Sequence, residues 1–446
     1  MRLRDRLIKG TALNLIAVGF NQGSTLLVNI VVARILLKQV FGEYAMIQNT
    51  LLTFAVLSQL ATGYTASKYI AEYRSKDPGR AGRIMGMCAL VSAFTSAIGA
   101  LVIFFSAPWL SGSVLEAPYL ATALMIGAGF LFFSSINGYQ LGALAGLEAF
   151  GSLARAGIAS GIAAIITISL GAWWGGLNGA IIGLSASAFI RCVIHNSWLR
   201  LESKDHGIKP RYKESLKKEK AIIYKFALPA AISGYYTMPM IWLANSFLVR
   251  QPGGYGEMAL FSAANNLRLL VLFLPNVMNS VGLSVLNNEM AKEDVNRYNR
   301  VFRSNVIYVF IITLGSVIII GIFGRPILQL FGKDFGAGHF LLWLLLLASI
   351  FESLSIVLYQ YIQSQAKIWL SFFTINIPRD TFLAAAAFFL VRLNGGVGLA
   401  SAYLCSTVLG LICVLIFVAV LYEKKHNAIE KDISTSQLII NNINDQ

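Results

Sequence analysis

The chain has 446 residues and a net charge of +15, yet only 13% of its residues are charged and 56% are hydrophobic. With a mean hydropathy of +0.66, it is neither an ordinary globular domain, where about a quarter of residues carry charge, nor a disordered chain, which has too little apolar surface to bury. The composition predicts an all-α polytopic membrane protein, because a spanning helix uses about 20 apolar residues and hydrocarbon admits only helices and closed barrels.

Met1 to Lys9 carries Arg2, Arg4, Arg6 and Lys9 ahead of an apolar run. That run is too long and too polar for a signal core, so it opens an uncleaved first helix. Hydropathy predicts twelve spans, at 11–33, 43–63, 84–105, 119–143, 152–171, 176–198, 222–248, 258–286, 304–323, 337–362, 371–391 and 396–422. Pro275 predicts a kink in the eighth. Of the 36 Lys and Arg residues, 27 fall in connectors on one side and only six on the other: Arg34, Lys38, Arg250, Arg325, Lys333 and Arg392. This bias puts both termini in the cytoplasm and accounts for the charge without nucleic acid. The expected organisation is a lobe of six helices over 1–198, a basic cytoplasmic linker at 199–221, a second six-helix lobe over 222–422 and a polar tail, 423–446, expected to be disordered. The longest outward connectors, 106–118 and 324–336, leave no room for an outward catalytic domain.

The halves repeat. Phe41-Gly42-Glu43-Tyr44-Ala45 matches Tyr255-Gly256-Glu257-Met258-Ala259, and Asn29 to Arg34 has the spacing of Asn245 to Arg250. Pro108 matches Pro326, Tyr139-Gln140 matches Tyr359-Gln360, and Gly175-Gly176 matches Gly395-Gly396. Six spans per half make a parallel repeat, with lobes around a central cavity and sites near the midplane, as in many transporters. Arg34, Arg250, Glu43 and Glu257 are then repeat-related loop charges. Small residues recur every four positions at Gly175, Gly179, Gly183 and Ser187, and at Gly398, Ala402, Ser406 and Gly410. That spacing predicts close helix packing within each lobe.

Polar groups inside spans are costly and face an interior. The first and second spans offer Asn14, Asn21, Asn29, Gln48 and Gln59, either as interhelical ties or as cavity lining. The eighth carries Asn265, Arg268, Asn276 and Asn279 on one face, the tenth Glu352 and Tyr359, and the eleventh Arg379 and Asp380. All the strongly charged members are in the second half. Arg268 is too deep to reach water by snorkelling and needs an anionic partner, which Glu352 can supply. Cys88, Cys192, Cys405 and Cys413 read as small buried hydrophobes. His195, His206, His339 and His426 are scattered, and no metal, nucleotide or hydrolase motif is present, so neither a catalytic residue nor a cofactor is expected.

Lys9-Gly10, Val32-Ala33-Arg34, Phe41-Gly42-Glu43-Tyr44, the basic stretch Tyr69 to Arg83, Tyr139-Gln140 and Gly146 resemble the polysaccharide branch of the multidrug/oligosaccharidyl-lipid/polysaccharide exporter superfamily, of the O-antigen flippase type. The resemblance covers residues 5 to 422. It implies two six-helix bundles facing a cationic cavity in a bacterial inner membrane. It also implies export of an undecaprenyl-diphosphate-linked oligosaccharide among membrane lipids, beside a polysaccharide polymerase and chain-length regulator proteins. On that reading the residues named above line the substrate cavity, and Glu352 and Asp380 are candidates for ion coupling. A multidrug antiporter is the rival, disfavoured by a first span without an acid. A membrane polymerase is disfavoured by the short outward connectors.

Overall fold

A helix satisfies its backbone donors and acceptors within one segment, as hydrocarbon requires. The computed structural model describes the backbone of residues 3–213, 215–228, 231, 235–290, 295–364 and 368–444, and the side chains of 18–213, 215–228, 231, 235–278, 300–362 and 369–420. Among the described residues there is helix and no strand.

Among the described residues, eight helices are long and apolar enough to cross a membrane. Three of them fold back on themselves: Val18–Ser58 at Leu37, Phe150–Asp205 at Gly175–Gly176 and Trp369–Val420 at Asn394–Gly395. Even the shortest of the three, straightened, would extend about 60 Å, twice the hydrocarbon thickness of about 30 Å. In the second hairpin Gly171 packs on Gly179 and Thr167 on Gly183, which fixes the arms as antiparallel. Five single helices, three hairpins and the shorter apolar helix Thr237–Val249 make twelve crossings. In chain order, Val18–Ser58 holds the first and second, Pro78–Val114 is the third, Pro118–Gly146 the fourth, and Phe150–Asp205 the fifth and sixth. Thr237–Val249 is the seventh, Gly254–Met278 lies in the eighth, Arg300–Gln329 is the ninth, Lys333–Ile362 the tenth, and Trp369–Val420 holds the last two.

The repeat is written in the backbone. Gly175 and Gly176 have φ/ψ of −132°/18° and 55°/−134°, and Asn394 and Gly395 have −137°/19° and 52°/−129°. The equivalent turns are therefore Gly175-Gly176 and Asn394-Gly395, one residue earlier than the pairing with Gly395-Gly396 expected from sequence. The position that must be glycine is the second of each pair, because its positive φ with this ψ is closed to a side chain. Identity at the first position is not required.

Other boundaries also differ from the sequence reading. The second crossing stops at Ser58, and the left-handed residues Leu60 and Ala61 set off a separate helix, Thr62–Tyr73. In the span expected at 222–248, a helix Ser215–Ile222 runs into a wider turn, Ile223–Ala227, and a helix Thr237–Val249 follows a turn at Tyr236. The sixth crossing continues to Asp205, into the expected linker. Part of that linker is docked, since Glu219 accepts from Arg80 at 3.3 Å and from Arg83 at 3.2 Å on the third crossing. The eighth crossing stays helical through Pro275 and on to Met290. The tail expected to be disordered instead continues the last helix to Asn444; it contains neither Gly nor Pro to stop it.

The largest core cluster joins the two lobes at the end away from Arg80, Arg83 and the linker. There Phe41 packs on Phe331 and Phe335, with ring centroids 6.2 and 5.8 Å apart. A Cβ on Gly42 would overlap the carbonyl oxygen of Tyr255. The two copies of the repeated motif thus press against each other.

Candidate functional site

Arg268 lies about 21 Å along the helix that starts at Gly254. It is buried, so its charge must be met inside the protein. Its Nε donates to Asn265 Oδ1 at 2.8 Å, from the preceding turn of the same face. Its guanidinium pairs with Glu352 of the tenth crossing and lies 5.5 Å from the Tyr403 ring centre. One turn of helix and two neighbouring crossings therefore hold the cation.

A second pair stands beside it. Arg379 Nε donates to Asp380 Oδ1 at 2.7 Å, and Thr237 Oγ1 donates to the other carboxylate oxygen at 2.6 Å. Asp380 is 3% exposed and Arg379 is 31% exposed. The acid is sealed among helices while the guanidinium faces open space. That space is a cavity of about 260 Å³, lined by Asn276, Glu352, Tyr359, Asn376, Arg379 and Gly410. Tyr359 shares a 2.7 Å hydrogen bond with Ser371. A Cβ at Gly410 would stand 2.8 Å from Arg379 Cδ, so the last of the small residues in the twelfth crossing makes room for the arginine. In the sixth crossing, Gly179 and Gly183 of the matching stripe pack on the other arm of their own hairpin.

The structure brings together Asn276, Glu352, Tyr359 and Arg379, with Asn265, Arg268 and Asp380 immediately behind. Among the described residues, it does not bring the polar groups of the first half to this cavity. Asn29 donates to Asn266 Oδ1 across the lobes at 3.1 Å. Gln59 lies over Gly138, Asn21 is exposed near Gly157, and Gln48 is half-buried on the second crossing. The side chains of Asn14 and Asn279 lie outside the described residues. Sequence reasoning missed Thr237 and Tyr403. Threonine and tyrosine carry no charge that would make them conspicuous in an apolar run.

The repeat-related charges sit at the lobe junction. Arg34 Nε donates to the Leu330 carbonyl at 2.6 Å, and Arg250 Nε pairs with Glu116 at 2.8 Å. Tyr255 donates to the Leu115 carbonyl at 3.0 Å. Glu43 and Glu257, expected in loops, lie within helices instead. Glu43 is buried and accepts from Tyr119 at 2.9 Å. Glu257 occupies the first turn of its helix, where the dipole favours an acid. Of the four free cysteines only Cys88 is buried, and Cys405 is exposed. A lipid-facing thiol meets apolar surroundings without burial in protein. Among the described residues no group of His, Cys, Asp and Glu is gathered as metal ligands.

Residues 7–283 match the family model described as polysaccharide biosynthesis protein. The EPS I polysaccharide export inner membrane protein EpsE of Ralstonia nicotianae is 23% identical over 412 residues, which are 90% of this chain and 92% of that protein. Among solved structures, the inward-facing and outward-facing conformations of a multidrug resistance MATE family transporter of the MOP superfamily each give a TM-score of 0.69, at 17% and 15% identity. Each comparison covers 93% of this chain and 96% of that one. A MOP superfamily transporter from Pyrococcus furiosus, described as having a binding pocket of reverse polarity, gives 0.65 at 16% identity over the same shares. These likenesses carry the fold, and the family match over more than half of the sequence carries the membership. The chain is a multi-pass membrane protein of the polysaccharide biosynthesis protein family.

Proposed function

We propose that this protein moves an undecaprenyl-diphosphate-linked oligosaccharide, such as an O-antigen or other surface-polysaccharide repeat unit, from the cytoplasmic to the outer leaflet of a bacterial inner membrane. The observation that carries this reading is the cavity in the second lobe, where Arg379 faces open space beside Glu352, Asn276, Asn376 and Tyr359. A guanidinium pairs with phosphate through two parallel hydrogen bonds, and the amides and the phenol supply partners for sugar hydroxyls. Arg268 plays the supporting part: it neutralises Glu352, so that the carboxylate does not repel an arriving diphosphate. When a diphosphate binds Arg379, Arg268 can release Glu352 and add a second guanidinium. Both termini are cytoplasmic on this reading, and a polymerase and chain-length regulator act on the delivered units.

Cells lacking the protein should accumulate lipid-linked repeat units on the cytoplasmic leaflet and display no surface polymer. Units found on the outer leaflet, unpolymerised, would instead assign the protein to polymerisation.

A further inference from the structure

The side of the membrane opposite the basic linker holds few cations, and the structure accounts for half of them. Arg34 caps the Leu330 carbonyl, Arg250 pairs with Glu116, and Arg392 lies 3.9 Å from the Phe388 ring centre. The other three are Lys38, Arg325 and Lys333. Among the described residues they have no ion-pair, hydrogen-bond or ring partner. All three line one cavity of about 580 Å³, together with Asp334 and Gln329.

The cavity draws on both lobes. Lys38 follows Leu37 at the turn between the first and second crossings. Arg325 lies four residues before the ninth crossing ends at Gln329, and Lys333 and Asp334 open the turn Lys333–Gly338 before the tenth. Beneath it lies the Phe41, Phe331 and Phe335 contact that seals the lobes. Three like charges around one space repel each other, and Asp334, the one acid lining it, offsets part of that without forming an ion pair. Positive charge on this side also runs against the orientation bias. Arg325 and Lys333 are exposed and Lys38 is half-buried, so an anion of suitable size can reach all three.

We propose that Lys38, Arg325 and Lys333 form an outer anion site that binds a diphosphate group across the two lobes. This rests on the functional reading above, and assigns to the site the diphosphate of the lipid-linked product as it leaves. Lys38 contributes from one lobe and the other two from the second, so the complete site exists only while this end is closed. A diphosphate bound there holds the end shut, and separation of the lobes divides the site and releases it.

The test uses the purified full-length protein in nanodiscs of zwitterionic lipid, with inorganic pyrophosphate as probe. Binding is read from thermal shift at constant ionic strength. Saturable stabilisation by pyrophosphate, and at least tenfold weaker by inorganic phosphate, is expected. Lys38→Gln and Arg325→Gln should each weaken pyrophosphate at least tenfold, since each removes a charge-assisted contact, whereas Asp334→Asn should tighten it. That opposite response separates a ligand site from loss of fold. Nanodiscs containing phosphatidylglycerol form a second arm: if they abolish the pyrophosphate effect by competition, the site belongs to bulk lipid headgroups and the assignment to product is wrong. Pyrophosphate acting no more strongly than chloride, or Lys38→Gln binding as wild type does, would overturn the site. Neither result bears on whether lipid-linked units accumulate in cells lacking the protein, so the two readings fail separately.

Discussion

Arg268 and Glu352 form one ion pair, but their surroundings make the two ends unequal. Arg268 is enclosed, whereas Glu352 is 30% exposed and lines the cavity. Removing one partner of a buried pair costs about 3–5 kcal/mol when the survivor is left buried and unpaired. Glu352→Ala strands Arg268 and should cost that much. Arg268→Ala leaves a carboxylate that water in the cavity can reach, and should cost well under half of it. Thermal unfolding of both variants in one detergent measures the difference, and equal losses would mean that Glu352 is as enclosed as its partner. The second pair is ordered the other way, with the acid sealed and the arginine open. Arg379→Ala alone should therefore destabilise, while Arg379→Ala with Asp380→Asn should restore abundance and still abolish surface polymer. Arg379→Lys should keep a fraction of export, because an ammonium retains the charge without the two-point fork. Full export by the double variant at normal abundance would remove Arg379 from the transport path. These four charges were legible in the sequence, because an ionised group in an apolar run stands out. Which of them faces the cavity was not, because that depends on how the crossings rotate against one another. For the polar groups of the first lobe the sequence leaves both uses open, because amide residues serve either equally well; Asn29 ties helices together.

The three hairpins and the lobe junction decide what moves. Leu37, Gly176 and Gly395 each take a positive φ where a pair of crossings turns. Gly176→Ala and Gly395→Ala should each destabilise by about 1–3 kcal/mol, the usual cost of such a conformation in a residue with a side chain. Asn394→Gly should be tolerated, since the structurally equivalent Gly175 already stands in the same conformation. Unfolding midpoints of the three variants give the comparison, and tolerance at Gly395 would undo the backbone equivalence. At the junction the contacts differ in weight. Arg250 and Glu116 are 43% and 51% exposed, so their pair contributes about 0.2–1 kcal/mol. Gly42 allows backbone contact with Tyr255, and a methyl group there has no space. Gly42→Ala should therefore push this end open, and Arg250→Ala should change it little. Spin labels on cysteines replacing the exposed Leu37 and Lys333 report the separation; an unchanged distance in Gly42→Ala would show that the close approach does not hold the lobes. Sequence reading recovered the number of crossings and the repeat, because hydropathy and glycine turns are local signals. It ran straight through the break at Leu60–Ala61, because composition stays apolar there while the backbone turns.

At the scale of the whole molecule the open question is the energy source. Exporting a diphosphate moves two negative charges across an inside-negative membrane, which yields about 4.6 kcal/mol per 100 mV at about 2.3 per charge. That is more than a thousandfold in an equilibrium, enough to drive export without a coupled ion. An ion-coupled mechanism needs an intramembrane acid free to take up and release its ion. In the second lobe Glu352 is held by Arg268, and Asp380 by both Arg379 and Thr237. Each acid already has a guanidinium partner, which a coupled ion would have to displace. The arrangement thus favours transport driven by potential over exchange against protons. In liposomes loaded with a lipid-linked diphosphate substrate, an imposed inside-negative potential should accelerate transfer from the inner leaflet, and dissipating it with valinomycin and matched potassium should remove the acceleration. A pH gradient of equal magnitude, clamped at zero potential, should do nothing. If the pH gradient alone sustained transfer and Glu352→Gln abolished that effect, the carboxylate would be a proton carrier, and its bond to Arg268 would have to open in every cycle.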